Sequence, residues 1–217
     1  MALTYLEIVN SVLKRLREDE VTSITDTTYS ALIAELVNTA KDEIEQAWKW
    51  NVLRDTVSVN TVAGTFRYIL TGVGTQSILL DIWNDTEDSE LRKRSQYDLN
   101  RLFQNSTDQS KPMYYGINGS DSNGDLQVDL YPIPDGIYNI DFNLVLKQAD
   151  LAVDADTPLV PHNLIVLRAW ALAVSERGED GGATFNELDA LYMQALSDAI
   201  SVDNSNQHQS EVDWAIV

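Results

Sequence analysis

The sequence predicts an α+β protein in which helical segments at both ends of the chain enclose an inserted, mainly antiparallel β domain. Apolar residues recur every three or four positions before Trp50 and again after Pro161, whereas they alternate with polar residues between Asp55 and Leu146. The last fifteen residues follow neither pattern. We therefore predict a four-helix body built from residues 1–53 and 150–202, a β-rich domain at 54–149, and an extended C-terminal arm at 203–217.

The N-terminal helices are marked by a capping signal and by periodic apolar residues. Thr4 and Glu7 have the spacing of a capping box, in which each side chain bonds the backbone N–H of the other residue. The apolar face that follows consists of Leu6, Val9, Leu13 and Leu16. A second helix is predicted from Tyr29 to Trp50 by residues spaced in fours, Leu32, Leu36, Ala40, Ile44 and Trp48. We expect the two helices to form an antiparallel pair.

In the middle of the chain the period changes from helical to strand-like. Val57 and Val59 alternate with polar residues, a turn at 63–65 follows, and Phe66, Tyr68 and Leu70 alternate again, which predicts a β-hairpin. Similar patterns predict further strands at 78–83, 91–94, 113–117, 126–130 and 138–146, with a small helix from Ser95 toward Phe103.

Helical spacing returns after Pro158 and Pro161. The first helix of this segment is expected to end at the turn from Gly178 to Gly182. Thr184 and Glu187 have the spacing of a second capping box. The stripe predicted for the last helix is Leu188, Leu191, Tyr192, Ala195 and Ala199.

The composition argues against catalysis and cofactor binding. The 217 residues, 44% of them hydrophobic, are enough for a sizeable core, but there is no cysteine, which excludes disulfides, thiolate zinc sites and cysteine nucleophiles. His162 and His208 have no metal ligands at a useful spacing. The run Gly72–Gly74 lacks the third glycine or the lysine of a phosphate-binding loop, and Asp121–Asp125 is better explained as a hairpin turn than as a calcium loop. We expect no catalytic residue, no metal and no cofactor.

The chain is strongly acidic, with a formal charge of −19. After Gln148, twelve acidic residues stand against Arg168 and Arg177, so this segment alone carries −10. Such a charge repels nucleic-acid phosphates and anionic lipids at long range. It serves either general solubility or a surface to which polyanions do not stick, and charge alone does not separate the two. No basic leader and no apolar run of about 18 residues is present, so we expect a soluble protein without a membrane partner.

The order of elements, together with four short sequences, resembles a known family. The sequences are WKWN at 48–51, TVAGTFRY at 61–68, KPMYYGI at 111–117 and LYPIPDGIY at 130–138. They resemble the head-to-tail adaptor, or connector, family of tailed bacteriophages, best known from short-tailed phages. The similarity extends to about residue 200, and the acidic tail beyond it is less typical of the family.

The resemblance implies a non-catalytic structural protein of the virion, located at the head-to-tail interface and assembled in the host cytoplasm. Family members form a homo-oligomeric ring, commonly of twelve copies, that docks beneath the portal protein, contacts a tail or nozzle protein and lets DNA pass without specific binding.

The resemblance also suggests roles for particular residues. The portal-binding arm would use its large apolar side chains, with Trp214 as the anchor; the residues are Val212, Trp214, Ile216 and Val217. The loops expected to face the tail contain Asn123, Tyr131, Pro132, Pro134 and Asp135. The acids expected to face the DNA channel are Glu176, Glu179, Asp180 and Glu187.

Two other functions remain open on the sequence. An adaptor-like tail protein with cell-wall hydrolase activity would need two acids about 5 to 10 Å apart in a long cleft. An unrelated soluble binding module would be a monomer with an ordered pocket. A size measurement of the purified protein, alone and mixed with portal rings, tests the adaptor, since a persistent monomer without portal binding would contradict it.

Overall fold

The computed structural model describes residues 3–105, 108–178 and 183–206. The chain divides into two compact units, a helical unit from residues 1–53 and 148–217 and a β unit from residues 54–147. The helices are α1 (Tyr5–Arg15), α2 (Thr28–Ala47), α3 (Gln96–Asn105), α4 (His162–Arg177) and α5 (Ala183–Ser205). The strands are β1 (Arg54–Asn60), β2 (Arg67–Leu70), β3 (Ile78–Asn84), β4 (Ser89–Glu90), β5 (Arg92–Lys93), β6 (Tyr114–Ser120), β7 (Leu126–Tyr131) and β8 (Asn139–Val145). This order confirms the predicted α+β class with a β domain in the middle of the chain.

The capping box predicted for α1 is present. The Glu7 backbone N–H donates to Thr4 Oγ1 at 3.3 Å, and the Thr4 N–H donates to Glu7 Oε2 at 2.8 Å. At the start of the helix the Tyr5 hydroxyl donates to the Ala34 carbonyl at 2.7 Å. Near its end, Arg177 bonds both the Leu16 carbonyl and the Tyr29 hydroxyl. Since the start of α1 lies beside Ala34 and its end lies near Tyr29, α1 and α2 run antiparallel.

The second helix is shorter than predicted, because it ends at Ala47 rather than at Trp50. Trp48 already has an extended backbone, with φ −151° and ψ 159°. The Trp50 indole folds back and donates to the Ile44 carbonyl at 2.7 Å. That carbonyl belongs to the last turn, where the helix itself supplies no N–H partner. Trp50 is 2% exposed, so burial of its ring and this hydrogen bond end the helix.

The C-terminal helices confirm one predicted boundary and correct two details. Gly178 ends α4 in the left-handed conformation, with φ 63°, and its N–H donates to the Val174 carbonyl. In contrast, α5 already includes Ala183, so Thr184 lies inside the helix and is not its N-cap. Leu191 is 54% exposed, although the predicted stripe included it. The side chains that α5 buries most deeply are Leu188 and Tyr192, which shows that only a narrow face of this helix is covered.

The β unit contains two four-stranded sheets, and its topology contradicts the predicted hairpin. One sheet has the order β1-β8-β3-β4 and the other β2-β7-β6-β5. The pairs are antiparallel except β5 with β6. β1 therefore pairs with β8 and β2 with β7, so the connection at 61–66 crosses between sheets instead of joining neighbours. The Tyr68 hydroxyl holds that connection by accepting from the Val62 N–H and donating to the Thr65 carbonyl.

The two sheets face each other across one hydrophobic core. Alternate residues of each strand point inward, as strand geometry requires. The sheet of β2 and β7 contributes Tyr68, Leu70, Val128 and Leu130, and the sheet of β3 and β8 contributes Ile82, Ile140, Phe142 and Leu144. Val57 and Val59 of β1 pack against this cluster from its margin. The apolar alternation thus identified inward-facing residues correctly, while it could not say which strands are neighbours.

Helix α3 lies against β6, and the contact depends on a glycine. A Cβ atom at Gly116 would lie 2.5 Å from Leu99 Cδ1 and 3.0 Å from Gln96 Oε1. Leu99 is completely buried and has no room to withdraw. Only a residue without a side chain allows this approach between helix and strand.

Gly116→Ala should therefore lower stability by about 1–3 kcal/mol, the usual cost of overpacking a close contact. Gly136→Ala is a matched control, because no atom lies within 4 Å of a Cβ built there. Thermal denaturation followed by circular dichroism should show a lower Tm for the first variant only. Equal Tm values for both variants would refute the proposed close contact.

Candidate interaction surfaces

Lys41 of α2 is a fully buried cation at the point where the chain returns from the β unit. Its ammonium group donates to the Gln148 carbonyl at 2.9 Å. The surrounding carboxylate oxygens are Asp42 Oδ1 at 3.2 Å, Glu45 Oε1 at 3.4 Å and Asp150 Oδ1 at 4.0 Å. Because a buried charge is tolerated only with such partners, the first residues after the β unit are held at this point of α2.

The segment that follows is bound to the N-terminal helices by polar groups. The Asn38 side chain bonds both the N–H and the carbonyl of Leu151, each at 3.0 Å. The Tyr5 N–H donates to the Asp156 carbonyl at 2.7 Å, and Asp154 accepts from the Ile24 N–H. Hydrogen bonds from Ala152 and Val153 keep the pKa of Asp156 below its ordinary value, with Val153 the larger cause. Residues 148–156 therefore form a fixed connection.

Arg168 ties three helices of the helical unit together. Its guanidinium bonds Glu43 of α2 and Asp189 of α5, and it lies 5.3 Å from the ring centroid of Tyr192. The hydrogen bond to Glu43 raises the pKa of Arg168 above its ordinary value. This contact anchors the first half of α5, the helix that leads toward the C-terminal arm.

The C-terminal part of α5 is anchored to the end of α2. Asp203 Oδ2 accepts from the Trp48 indole at 3.0 Å, and its backbone carbonyl accepts from the Asn51 side chain at 3.1 Å. The predicted arm began at Asp203, but α5 continues to Ser205 because these bonds hold its last turns. Most of the arm, including Val212, Trp214, Ile216 and Val217, lies outside the described residues.

Two of the four acids expected to face a channel fall within the described residues. Glu176 lies near the end of α4 and Glu187 near the start of α5, and both are exposed. They thus flank the same connection between helices. Glu179 and Asp180, within that connection, lie outside the described residues.

Three loops meet at one end of the β unit. The Gly64 N–H donates to the Pro134 carbonyl at 2.8 Å, Thr61 Oγ1 donates to the Gly136 carbonyl at 2.9 Å, and the Asn139 N–H donates to Thr86 Oγ1 at 2.8 Å. We call the loops 61–66, 85–88 and 132–138 together the loop end. Because these bonds join loop 61–66 to loop 132–138 and loop 85–88 to the start of β8, the loop end is a defined surface.

Four of the five residues predicted to face the tail lie in the loop end or directly before it, at different depths. Tyr131 and Pro134 are buried, Pro132 is partly buried after a cis peptide bond, and Asp135 is exposed. Asp135 accepts from the Tyr138 hydroxyl at 2.6 Å, which raises the pKa of Tyr138 to about 12. This turn therefore presents Asp135 to solvent, whereas Tyr131 and Pro134 are buried.

The most exposed apolar residues of the loop end are not among those that the sequence predicts to face the tail. Val62 is 60% exposed and Ile137 is 75% exposed. Each lies beside a residue of the hydrogen-bonded contact between loops, Thr61 for Val62 and Gly136 for Ile137. The sequence signal that could have identified Val62 and Ile137 is a large apolar residue directly next to turn residues.

Asn123 lies at the opposite end of the strands. Its turn is closed by Asp121, whose carboxylate accepts from the Asn123 and Asp125 N–H groups at 2.8 Å each. Asp125 in turn accepts from the Gly72 and Gly74 N–H groups. These turns precede β7 and β3, whereas the loop end follows these strands. The structure therefore does not bring Asn123 together with Pro132 and Asp135.

Within residues 3–105, 108–178 and 183–206, no group of three or more His, Cys, Asp or Glu side chains could hold a metal ion. None of the helices in these ranges is long and apolar enough to cross a membrane.

A single protein family matches the sequence of both units. The model of the family described as SU10 adaptor protein matches residues 3–214, nearly the whole chain. The chain belongs to the SU10 adaptor protein family. This confirms the predicted relation to the phage head-to-tail adaptors. No curated protein sequence matches the chain.

Membership of the SU10 adaptor family indicates where in the virion the protein belongs. An SU10 adaptor is a structural protein of a bacteriophage, placed at the junction of head and tail, and an adaptor there interacts with portal and tail proteins. The surfaces of this SU10 adaptor that are open to partners include the loop end and the exposed acids of α4 and α5.

Lys41→Ala should lower the stability of this SU10 adaptor by about 3 kcal/mol, because it removes the cation next to the buried Glu45 carboxylate. Gln46→Ala, an exposed position on the same helix, is the control. Urea denaturation of both variants measures the difference. A Lys41→Ala midpoint equal to that of the control would show that the buried ammonium does not hold the return segment.

Proposed function

We propose that this SU10 adaptor is a ring subunit that docks beneath the portal, joins the head to the tail and extends the DNA channel, with no chemistry of its own. The observation that carries the proposal is the family match over residues 3–214, which includes both units and most of the C-terminal arm. The copies of the subunit, commonly twelve in head-to-tail adaptor rings, assemble in the host cytoplasm while the virion is built.

The distribution of charge supports a role as a conduit. The helical unit contains 21 acidic and 7 basic residues, a formal charge of −14, whereas the β unit contains 13 acidic and 8 basic residues, −5. An acidic channel wall lets DNA slide, because every lysine or arginine there would bind a phosphate by counterion release. The helical unit is therefore the proposed source of channel-lining acids, with Glu176 and Glu187 as exposed members and Glu179 and Asp180 between them in sequence.

Portal and tail contacts are assigned to different parts of the chain. The arm at 203–217 is proposed to reach the portal, with Trp214 as its anchor and Val212, Ile216 and Val217 as supporting apolar groups. The loop end is proposed to face the tail protein, and Asp135, Val62 and Ile137 are among its exposed side chains. Asn123, at the other end of the strands, would then contact a different partner surface.

Trp214→Ala should weaken binding to purified portal rings about 30-fold, since a tryptophan anchor typically contributes about 2 kcal/mol or more. Gln209→Ala, a polar substitution in the same arm, should leave binding unchanged. Titration monitored by light scattering measures both affinities. Unaltered affinity of the Trp214→Ala variant would remove the arm from the portal contact, and a wild-type protein that fails to bind portal rings would refute the proposed function.

Glu176→Lys combined with Glu187→Lys should slow the release of DNA from assembled particles, because each lysine adds a phosphate contact. The slowing should diminish as salt concentration rises. Glu35→Lys, at an exposed acid of α2, controls for the change of net charge. DNA release can be timed by a fluorescent dye added outside the particles. Equal release rates for the double variant and wild type would place these two acids outside the channel.

A further inference from the structure

A cluster of basic residues stands out on the β unit of this acidic protein. Arg92 and Lys93 form β5, Arg94 follows it, and Arg101 lies on α3, and all four side chains are exposed. Tyr97, also on α3, is 76% exposed. We call these five residues the basic edge. Its ten-residue span, 92–101, contains four of the 15 basic residues of the chain and only Asp98 as an acid.

No ion pair neutralises the basic edge within the part of the chain that the structure describes. Other exposed or half-exposed cations do form ion pairs, as Lys111 does with Glu87 at 3.0 Å and Arg67 with Asp129 at 2.8 Å. Among the residues that the structure describes, Arg92, Lys93, Arg94 and Arg101 form no ion pair. Acids outnumber bases by 34 to 15, so four clustered cations without acidic partners leave positive charge available to another molecule.

The basic edge is also held in place by contacts with the neighbouring strand. β5 is the outermost strand of its sheet, and the Arg92 and Arg94 N–H groups donate to the Met113 and Tyr115 carbonyls at 2.9 and 2.8 Å. The Arg94 guanidinium lies 4.8 Å from the ring centroid of Tyr114. Such a stacked arginine keeps its N–H groups free for a partner.

The helix adds an aromatic group to the same surface. Tyr97 and Arg101 are four residues apart on α3, which places them on one face of the helix. Residues of this helix on the opposite side, such as Leu99, lie against Gly116. Tyrosine and arginine are among the side chains enriched in protein interfaces, where both combine a broad contact area with hydrogen bonding.

We infer that the basic edge binds the acidic helical unit of a second copy of this chain. The helical unit carries −14, so every copy offers its neighbour a complementary charge. A contact between two different surfaces of identical subunits adds copies in one direction and can close into a ring. The inference rests on the proposed ring function and identifies the contact between its subunits.

DNA fits the same surface less well. The formal charge of −19 repels the phosphate backbone before contact, and four cations offset only a small part of it. Glu90 and Asp98 also flank the cluster, on β4 and α3. DNA binding uses a continuous groove of basic residues. A protein partner that offers separate acidic side chains with apolar surface between them does not require one.

The test combines Arg92→Glu with Arg101→Glu, which leaves Arg94 on Tyr114. The control combines Arg17→Glu with Arg54→Glu, two exposed cations outside the basic edge, so the change of net charge is identical. Sedimentation velocity over a concentration series measures self-association of each full-length protein, and native mass spectrometry counts copies bound per portal ring.

The basic-edge variant should associate with itself at least about tenfold more weakly than wild type, a change of about 1.4 kcal/mol. It should also occupy portal rings incompletely, while each bound copy keeps its portal affinity at low occupancy. The control should match wild type, and raising the salt concentration should weaken the wild-type association toward that of the variant.

Three results would overturn the inference. Unchanged self-association and full occupancy of the portal ring by the basic-edge variant would show that copies meet elsewhere. Loss of portal affinity at low occupancy would assign the basic edge to the portal. Binding of duplex DNA by wild type that is lost in the variant, with self-association unchanged, would assign it to DNA. If wild type does not bind portal rings at all, the proposed function fails, and sedimentation still tests the contact between copies.

Discussion

The ammonium group of Lys41 determines where the chain can enter the helical unit for the second time. A lysine with no exposed surface needs acceptors on every side, and here the neighbouring turns of α2 and the returning segment at Gln148 and Asp150 provide them. The paired bonds between Asn38 and Leu151 continue the attachment. A domain inserted between two helical segments needs its exit fixed as well as its entry, and Trp50 fixes the entry by ending α2 against its own last turn.

Charge is distributed so that each unit has a different kind of surface. In the helical unit, Lys41, Arg168 and Arg177 bond acids or carbonyl groups of the same unit. Acidic residues are in excess over basic residues in the helical unit. In the β unit, Arg92, Lys93 and Arg94 project from a sheet edge instead. Exposed charges on the outermost strand also prevent that strand from pairing with strands of other molecules in an uncontrolled way.

Local features of the fold could be predicted from the sequence, whereas long-range ones could not. The Thr4 capping box, the Gly178 helix end and the inward alternation of Ile140, Phe142 and Leu144 depend on residues close together in the chain, and all are present. The hairpin of β1 and β2 was wrong because alternation identifies a strand's buried face and says nothing about its neighbours. Lys41 gave no signal, since its acceptors Gln148 and Asp150 lie more than 100 residues away. Among the candidate site residues, the structure shows that Asp135 is exposed and Tyr131 is buried, and that Val62 and Ile137 are exposed as well. The sequence alone does not contain this information on exposure.

The pairing of β1 with β8 has a consequence for the order in which the protein forms during synthesis. Arg54 lies opposite Val145, and α1 and α2 pack against α4, which begins only at His162. Neither unit can therefore complete its core while the ribosome is still making the first half of the chain. Contacts so distant along the chain close late and slowly, because the intervening loop must lose its freedom first. Until α4 emerges, the parts of α1 and α2 that pack against it stay uncovered, and the negative charge of the newly made chain helps to keep it dispersed.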